Sequence, residues 1–228
     1  MNPSATVVFD LDGTLVDTAP DLINALNFVL AREGLPAVPM KSARNMIGAG
    51  ARKLLERGLE VDGRDVSPGD LDRLTGDFID HYAAHIADQS RAFEGLEGAL
   101  DELSSQGCRF AVCTNKLEWL SKLLLDELKL SSRFSAICGA DTFGVAKPEP
   151  AFLQQTVARA GGYLASTIMV GDAGPDIGVA RRAGVPVIGV DFGYTDVPMA
   201  ELKPDRLIGH LSELPAAVES LLAVRQAL

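Results

Sequence analysis

The chain has 228 residues, 47% of them hydrophobic and 23% charged, which suits a folded protein with a substantial core and excludes disorder as its main state. Its formal net charge is −10, with 31 acidic residues against 21 Lys and Arg, so nucleic acid and anionic membranes are repelled and an anionic ligand needs a local cluster of positive charge. No apolar run approaches the roughly 18–20 residues that span a bilayer, the N-terminal residues lack a basic-then-apolar leader, and Cys108, Cys113 and Cys138 show no C-x-x-C spacing; a reduced, cytoplasmic setting is expected.

Taken in chain order, the first predicted element is a short buried strand, T-V-V-F at 6–9, followed at once by the polar run D-L-D-G-T. From 18 to 85 the apolar spacing is helical, broken by loops at 34–39 and 63–69. Strands then recur at 109–113, 135–138, 167–170 and 186–190, with helical patterns between them at 96–106, 117–128, 150–160 and 176–183. A last amphipathic helix is expected at 212–224. Short apolar strands alternating with helices predict an α/β fold, a parallel sheet covered on both faces. The segment 18–85 is too long for one crossover helix. It reads as an all-helical insert after the first strand, lying as a lid over the carboxyl ends of the strands, with 1–17 and 86–228 forming the core.

Four segments share one feature, a strand end followed by reactive polar residues. In the first, Asp10 and Asp12 leave a buried strand two residues apart while Gly13 permits a sharp turn. The second is Thr114-Asn115, whose hydroxyl and amide can hold phosphoryl oxygens without adding charge, although such a pair also suits a helix N-cap. The third is Lys147-Pro148, in which proline biases Lys147 away from helical geometry. The fourth is Gly171-Asp172 with Asp176 four residues on, a position that also fits a helix-capping aspartate.

Together these segments crowd carboxylates from Asp10, Asp12, Asp172 and Asp176 at one edge of one sheet. Uncompensated anions at such spacing repel one another, and a hard divalent cation with oxygen ligands resolves the conflict. Magnesium is the expected cofactor. Lys147 adds positive charge and Thr114 a donor, the set that phosphoryl transfer requires.

The same four segments resemble the signatures of the haloacid dehalogenase superfamily, in its phosphatase branch, and the resemblance covers nearly the whole chain. It implies a Rossmann-like core with a mobile helical cap. It further implies that Asp10 attacks phosphorus to form an aspartyl-phosphate, while Asp12 protonates the leaving alcohol and later deprotonates water. Asp10, the backbone carbonyl of Asp12, and Asp172 would bind Mg²⁺ with Asp176 in support, and Thr114, Asn115 and Lys147 would hold the phosphoryl group. One departure is Ala173, where relatives often carry Ser or Thr.

The stretch F-D-L-D-G-T-L-V-D-T-A-P-D-L at 9–22 and the segment I-G-A-G-A-R-K-L-L at 47–55 look very like bacterial phosphoglycolate phosphatases. The expected substrate is therefore a small anionic phosphate ester. Arg44, Arg52 and Lys53 flank the glycine-rich turn, whose N–H groups can meet an anion, so Arg44 and Arg52 are expected to grip a substrate carboxylate. Rival readings are a phosphatase for another ester, a phosphomutase of the same superfamily, a signalling receiver domain and a non-catalytic binding protein. Thr14 leans away from the mutase, and an aspartate ending the first strand argues against a receiver. His81 and His85 would share a helix face, but the intervening Tyr-Ala-Ala lacks the glutamate of a zinc-protease motif, and a surface or hinge pair is expected.

Overall fold

The computed structural model describes residues 5–61, 63 and 66–226. In chain order the elements are β1 (Thr6–Phe9), β2 (Val16–Asp17), α1 (Ala19–Arg32), α2 (Met40–Arg44), α3 (Ala51–Glu60), α4 (Pro68–Ala84), β3 (Arg91–Ala92), α5 (Leu96–Ser105), β4 (Arg109–Cys113), α6 (Glu118–Glu127), β5 (Ala136–Cys138), α7 (Pro150–Arg159), β6 (Thr167–Gly171), α8 (Gly174–Ala183), β7 (Val187–Val190), β8 (Arg206–Ile208) and α9 (Leu214–Gln226).

Six strands form one parallel sheet in the order β5-β4-β1-β6-β7-β8. The first strand lies at its centre, so all four of its residues are buried and the sequence shows an unbroken apolar run instead of an alternation. Its side chains still point alternately to the two faces. Val7 and Phe9 join a cluster with α5, α6 and α9 through Leu100, Leu124 and Val218, whereas Val8 joins Phe152, Leu153 and Ile177 of α7 and α8. Phe9 meets the rings of Phe110 and Phe134 edge-on. The sheet is thus covered on both sides, as expected from its pattern.

Between 19 and 84 the described residues form α1 to α4 and no strand. Leu26, Leu30, Leu55, Leu74 and Phe78 hold these helices together. Ser67 starts α4 by accepting the backbone N–H of Asp70, with Pro68 in the first turn. Of the second expected loop, 64 and 65 lie outside the described residues, and α4 already begins at 68. The chain leaves and re-enters the sheet region through antiparallel β2 and β3, where Val16 pairs with Ala92 and Asp17 with Arg91.

Besides the short β2 and β3, which were not expected either, two details differ from the sequence expectation. A sixth strand, β8, was not expected because it is three residues long and two of them are exposed, so it carries no apolar run. Helix α8 starts at Gly174, not at Asp176, because Pro175 is accepted in its first turn. Asp176 therefore sits in the first turn of the helix, two residues past its start.

The strand order reverses at the centre. Chain progress runs from β1 outward through β4 and β5, then resumes on the other side with β6. Asp10 follows β1 and Asp172 follows β6 at this switch point, where open α/β sheets form their ligand crevice. The Asp10 N–H donates to the Val170 carbonyl at 2.9 Å, so the two strand ends are locked side by side.

Candidate active site

Asp10, Asp172 and Asp176 are buried and can bring one oxygen each within 4.8 Å of one another. Each is held differently. Asp10 Oδ1 accepts the Leu11 N–H at 2.7 Å and pairs with Lys147 Nζ at 2.8 Å. Asp172 Oδ1 accepts the Thr14 hydroxyl at 2.8 Å, and its Oδ2 accepts the Tyr194 N–H at 2.7 Å. Asp176 Oδ2 accepts the N–H groups of Asp172 and Ala173 at 3.2 and 3.0 Å, while its Oδ1 meets Lys147 Nζ at 2.7 Å. The capping reading of Asp176 and the functional one therefore hold together: one oxygen stabilises the start of α8, and the other fixes the lysine.

The close approach of backbone to Asp172 explains two glycines. Gly13 has φ +84°, and a Cβ there would lie 2.4 Å from Asp172 Oδ2; a Cβ on Gly193 would lie 2.2 Å from Asp172 Cβ. Lys147 precedes Pro148 in a cis peptide bond, and its N–H donates to Asn115 Oδ1 at 2.9 Å. The Asn115 amide nitrogen donates to the Lys147 and Gly48 carbonyls at 3.4 and 3.3 Å, so Asn115 joins the lysine loop to the helical insert. Thr114 Oγ1 accepts the Lys116 N–H at 3.3 Å.

Three buried carboxylates face one lysine. Burial pushes the Asp10 carboxyl up to about 6, against the pull of Lys147. Burial, reinforced by the nearby Asp176 and Asp10, pushes Asp172 up to about 8. Burial works against the charge of Lys147, but Asp10 and Asp176 outweigh it and hold its pKa above the usual lysine range. An excess of hard oxygen donors with proton affinities raised in this way fits a divalent cation. Asp10 is the freer ligand, since its bonds fall on Oδ1, whereas both oxygens of Asp172 and of Asp176 are already engaged.

Asp12 stands apart from this cluster. Its carboxylate accepts the Thr18 hydroxyl at 2.8 Å and receives Lys116 Nζ at 2.9 Å on each oxygen. Lys116 is itself buried, with Nζ 4.6 Å from the centroid of the Tyr82 ring. Sequence reasoning does not single out Lys116, Tyr82 or Tyr194. A lysine three residues past a strand reads as solvated, and only a buried carboxylate 104 positions earlier makes it otherwise.

Asp10, Asp12, Thr114, Asn115 and Lys116 open onto a cavity of about 220 Å³ whose far wall comes from the insert, including Ile47 to Arg52, Phe78 and Tyr82. Arg52 lines it but is paired with Glu56 and Asp72. Lys53 is paired with Glu56. Arg44 does not line the cavity; it pairs with Asp17 at 3.2 Å and lies 5.0 Å above the Tyr194 ring. The sequence places these basic residues near the glycine turn, but each finds an acidic partner first. His81 stacks on Phe28 at 3.8 Å and lies 4.5 Å from His85, and the pair joins no group of metal-binding side chains among the described residues.

Residues 7–190 match the profile of a family described as haloacid dehalogenase-like hydrolase. A phosphoglycolate phosphatase of Caulobacter vibrioides is 46% identical over 218 residues, covering 96% of this chain and 92% of the relative. One from Agrobacterium fabrum is 44% identical over 221 residues, covering 96% and 95%. A crystal structure from Haemophilus somnus, described as a predicted phosphoglycolate phosphatase, superposes with a TM-score of 0.88 at 28% identity, covering 95% of this chain and 99% of that one. Among the described residues no helix is long and apolar enough to cross a membrane.

Proposed function

Given that the chain belongs to the haloacid dehalogenase-like hydrolase family and is a phosphoric monoester hydrolase, we propose that it is a magnesium-dependent phosphatase that converts 2-phosphoglycolate to glycolate and phosphate through an aspartyl-phosphate on Asp10. The observation that carries this reading is the shared cavity. Asp10 and Asp12 both face it, Asp10 is braced by Lys147, and Asp12, two residues on, is braced by Lys116. The substrate is taken from the relatives' activity and from the small size of the cavity.

Asp10 Oδ2, which accepts none of the bonds that fix Oδ1, is the attacking oxygen. It forms a bond to phosphorus as the ester P–O bond breaks, and Asp12 gives its proton to the departing glycolate oxygen. Water then attacks phosphorus, its proton passes to Asp12, and the Asp10 oxygen leaves as carboxylate. Lys147 and Thr114 meet the phosphoryl oxygens, where preorganised charge and hydrogen-bond donors stabilise the transition state. Asp10, Asp172 and the Asp12 carbonyl would hold Mg²⁺, with Asp176 in support; when bound, the ion offsets the carboxylate charge and polarises the phosphoryl group.

Residues 18–85 are read as a cap over a core of 1–17 and 86–228, with β2 and β3 as the stem between them. The insert supplies the cavity's far wall, so its approach excludes water from the phosphoryl group. Three free cysteines, two of them buried, suit a reducing compartment, and we place the enzyme in the cytoplasm.

Phosphate release from a panel of small phosphomonoesters, with Mg²⁺, with EDTA and with Asp10→Asn, tests this reading. Strongest release from 2-phosphoglycolate, dependent on Mg²⁺ and absent in the variant, is the expected result. Preference for another ester would overturn the substrate and leave the Asp10 chemistry standing.

A further inference from the structure

We infer that Lys116 is the residue that recognises the carboxylate of the substrate and so sets the preference for phosphoesters with an anionic tail. This rests on the reading of the chain as a phosphatase for 2-phosphoglycolate. The cavity wall is largely apolar, built from residues such as Leu22, Ile47, Leu54, Phe78 and Leu120. An apolar wall cannot stabilise a carboxylate, because burying that charge without a partner is strongly unfavourable. A cation must supply the contact.

Two lysine or arginine side chains line the cavity among the described residues, Lys116 and Arg52. Arg52 is 45% exposed and already shared between Glu56 and Asp72 on the insert. Lys116 has a side chain only 5% exposed. It is fixed from two directions, by Asp12 at 2.9 Å and by the Tyr82 ring at 4.6 Å. Such a cation is desolvated and immobilised before any ligand arrives, which limits the cost of ordering it on binding. An ammonium has three donors, and Asp12 accepts two of them. One donor remains for a third partner.

The position also fits. Asp12 is assigned to the bridging oxygen of the ester, and Lys116 Nζ touches both oxygens of Asp12. In 2-phosphoglycolate the carboxylate is joined to that bridging oxygen through one methylene. A group that touches Asp12 is therefore within reach of the carboxylate, whereas Lys147 pairs with Asp10, the residue assigned to phosphorus. The two lysines divide the dianionic and monoanionic ends of one small substrate between them. The Tyr82 hydroxyl is buried and has no hydrogen-bond partner among the described residues, so the contribution of its ring to holding Lys116 is separable from that of its hydroxyl.

The test compares 2-phosphoglycolate with its neutral isostere, glycolamide phosphate, in the wild-type enzyme and in Lys116→Met, with Mg²⁺ present and folding checked by thermal unfolding. The wild type should prefer the acid by at least about tenfold in kcat/KM, the scale of one charge-assisted contact. In Lys116→Met that ratio should fall toward one, and Lys116→Arg should restore part of it. A ratio unchanged in Lys116→Met, or both esters slowed by the same factor, would overturn the inference and leave Lys116 as a residue that only positions Asp12. Should the wild type show no preference, the phosphoglycolate reading itself fails, a different outcome from an intact preference that ignores Lys116. If Lys116→Met does not fold, lysine side-chain ¹⁵N spectra of the wild type decide. The Lys116 ammonium signal, assigned with Lys116→Arg, should shift with glycolate and not with glycolamide, and an equal response to both would overturn the inference.

Discussion

The Thr14 hydroxyl donates to Asp172 Oδ1 at 2.8 Å, joining the first turn of the chain to a strand end 158 residues later. This bond and the Tyr194 N–H together aim the Asp172 carboxylate at Asp10. Ala173 leaves the residue after Asp172 without a side-chain donor, so the orientation depends on these two bonds.

Thr14→Val should therefore weaken the divalent-cation site without removing a ligand. Loss of a hydrogen bond to a charged group costs about 1.5–3 kcal/mol, so the Mg²⁺ concentration for half-maximal phosphate release should rise about tenfold or more. A Mg²⁺ titration of both proteins checks this. An unchanged midpoint would mean that Thr14 does not orient Asp172.

The raised pKa values of Asp10, about 6, and Asp172, about 8, give the cation-free fold a defined pH dependence. Both lie above the ordinary value of 3.8, so the folded chain binds these protons more tightly than the unfolded one. The contribution of the two groups to stability is then present below that ordinary value and is lost as pH rises through 6 and 8. A divalent cation relieves the same repulsion without protons. The rise in Tm on adding Mg²⁺ should accordingly be larger at pH 8.5 than at pH 5.5, in calorimetry at matched ionic strength. An equal rise at both would contradict the shifts.

Lys147→Met should cost about 3–5 kcal/mol of stability in the absence of cation, since Asp10 and Asp176 would be left as buried anions without their shared counter-charge. Added Mg²⁺ should recover part of the stability and none of the phosphatase activity. Denaturant unfolding with and without Mg²⁺ separates the two effects.

Asp12→Ala should slow esters according to their leaving groups. A nitrophenyl leaving group needs little help from an acid, whereas the second step still needs a base. The variant should release about one equivalent of nitrophenol per enzyme and then stall, the burst expected of an accumulating covalent intermediate. Steady release at the wild-type rate would remove Asp12 from both steps.

Much of this fold is legible in the sequence because its sheet is buried on both faces. Strands β1, β4, β5, β6 and β7 appear as short apolar runs, and each reactive residue follows one of them. Strand β8 is not legible, as Arg206 and Leu207 are exposed at the sheet edge. Asp10 and Asp172 were readable because each follows a buried strand, and Asp176 because it lies four residues past Asp172 in the first turn of α8. The role of Lys116 was not, because it depends on Asp12 and Tyr82, which come from distant parts of the chain. Arg44 and Arg52 carry the opposite lesson. Basic residues beside a glycine turn suggest an anion site, and in the structure their charges are shared with Asp17, Glu56 and Asp72.

The central claim is that Asp10 carries the phosphoryl group during turnover, and trapping that species tests it most directly. The enzyme would be mixed with 2-phosphoglycolate and Mg²⁺, quenched in acid within the first turnover, digested and analysed by mass spectrometry. A phosphoryl group on the peptide containing Asp10, absent with EDTA and absent in Asp10→Asn, is the expected result. Phosphate released at full rate by Asp10→Asn, or a phosphoryl group found on another residue, would contradict it.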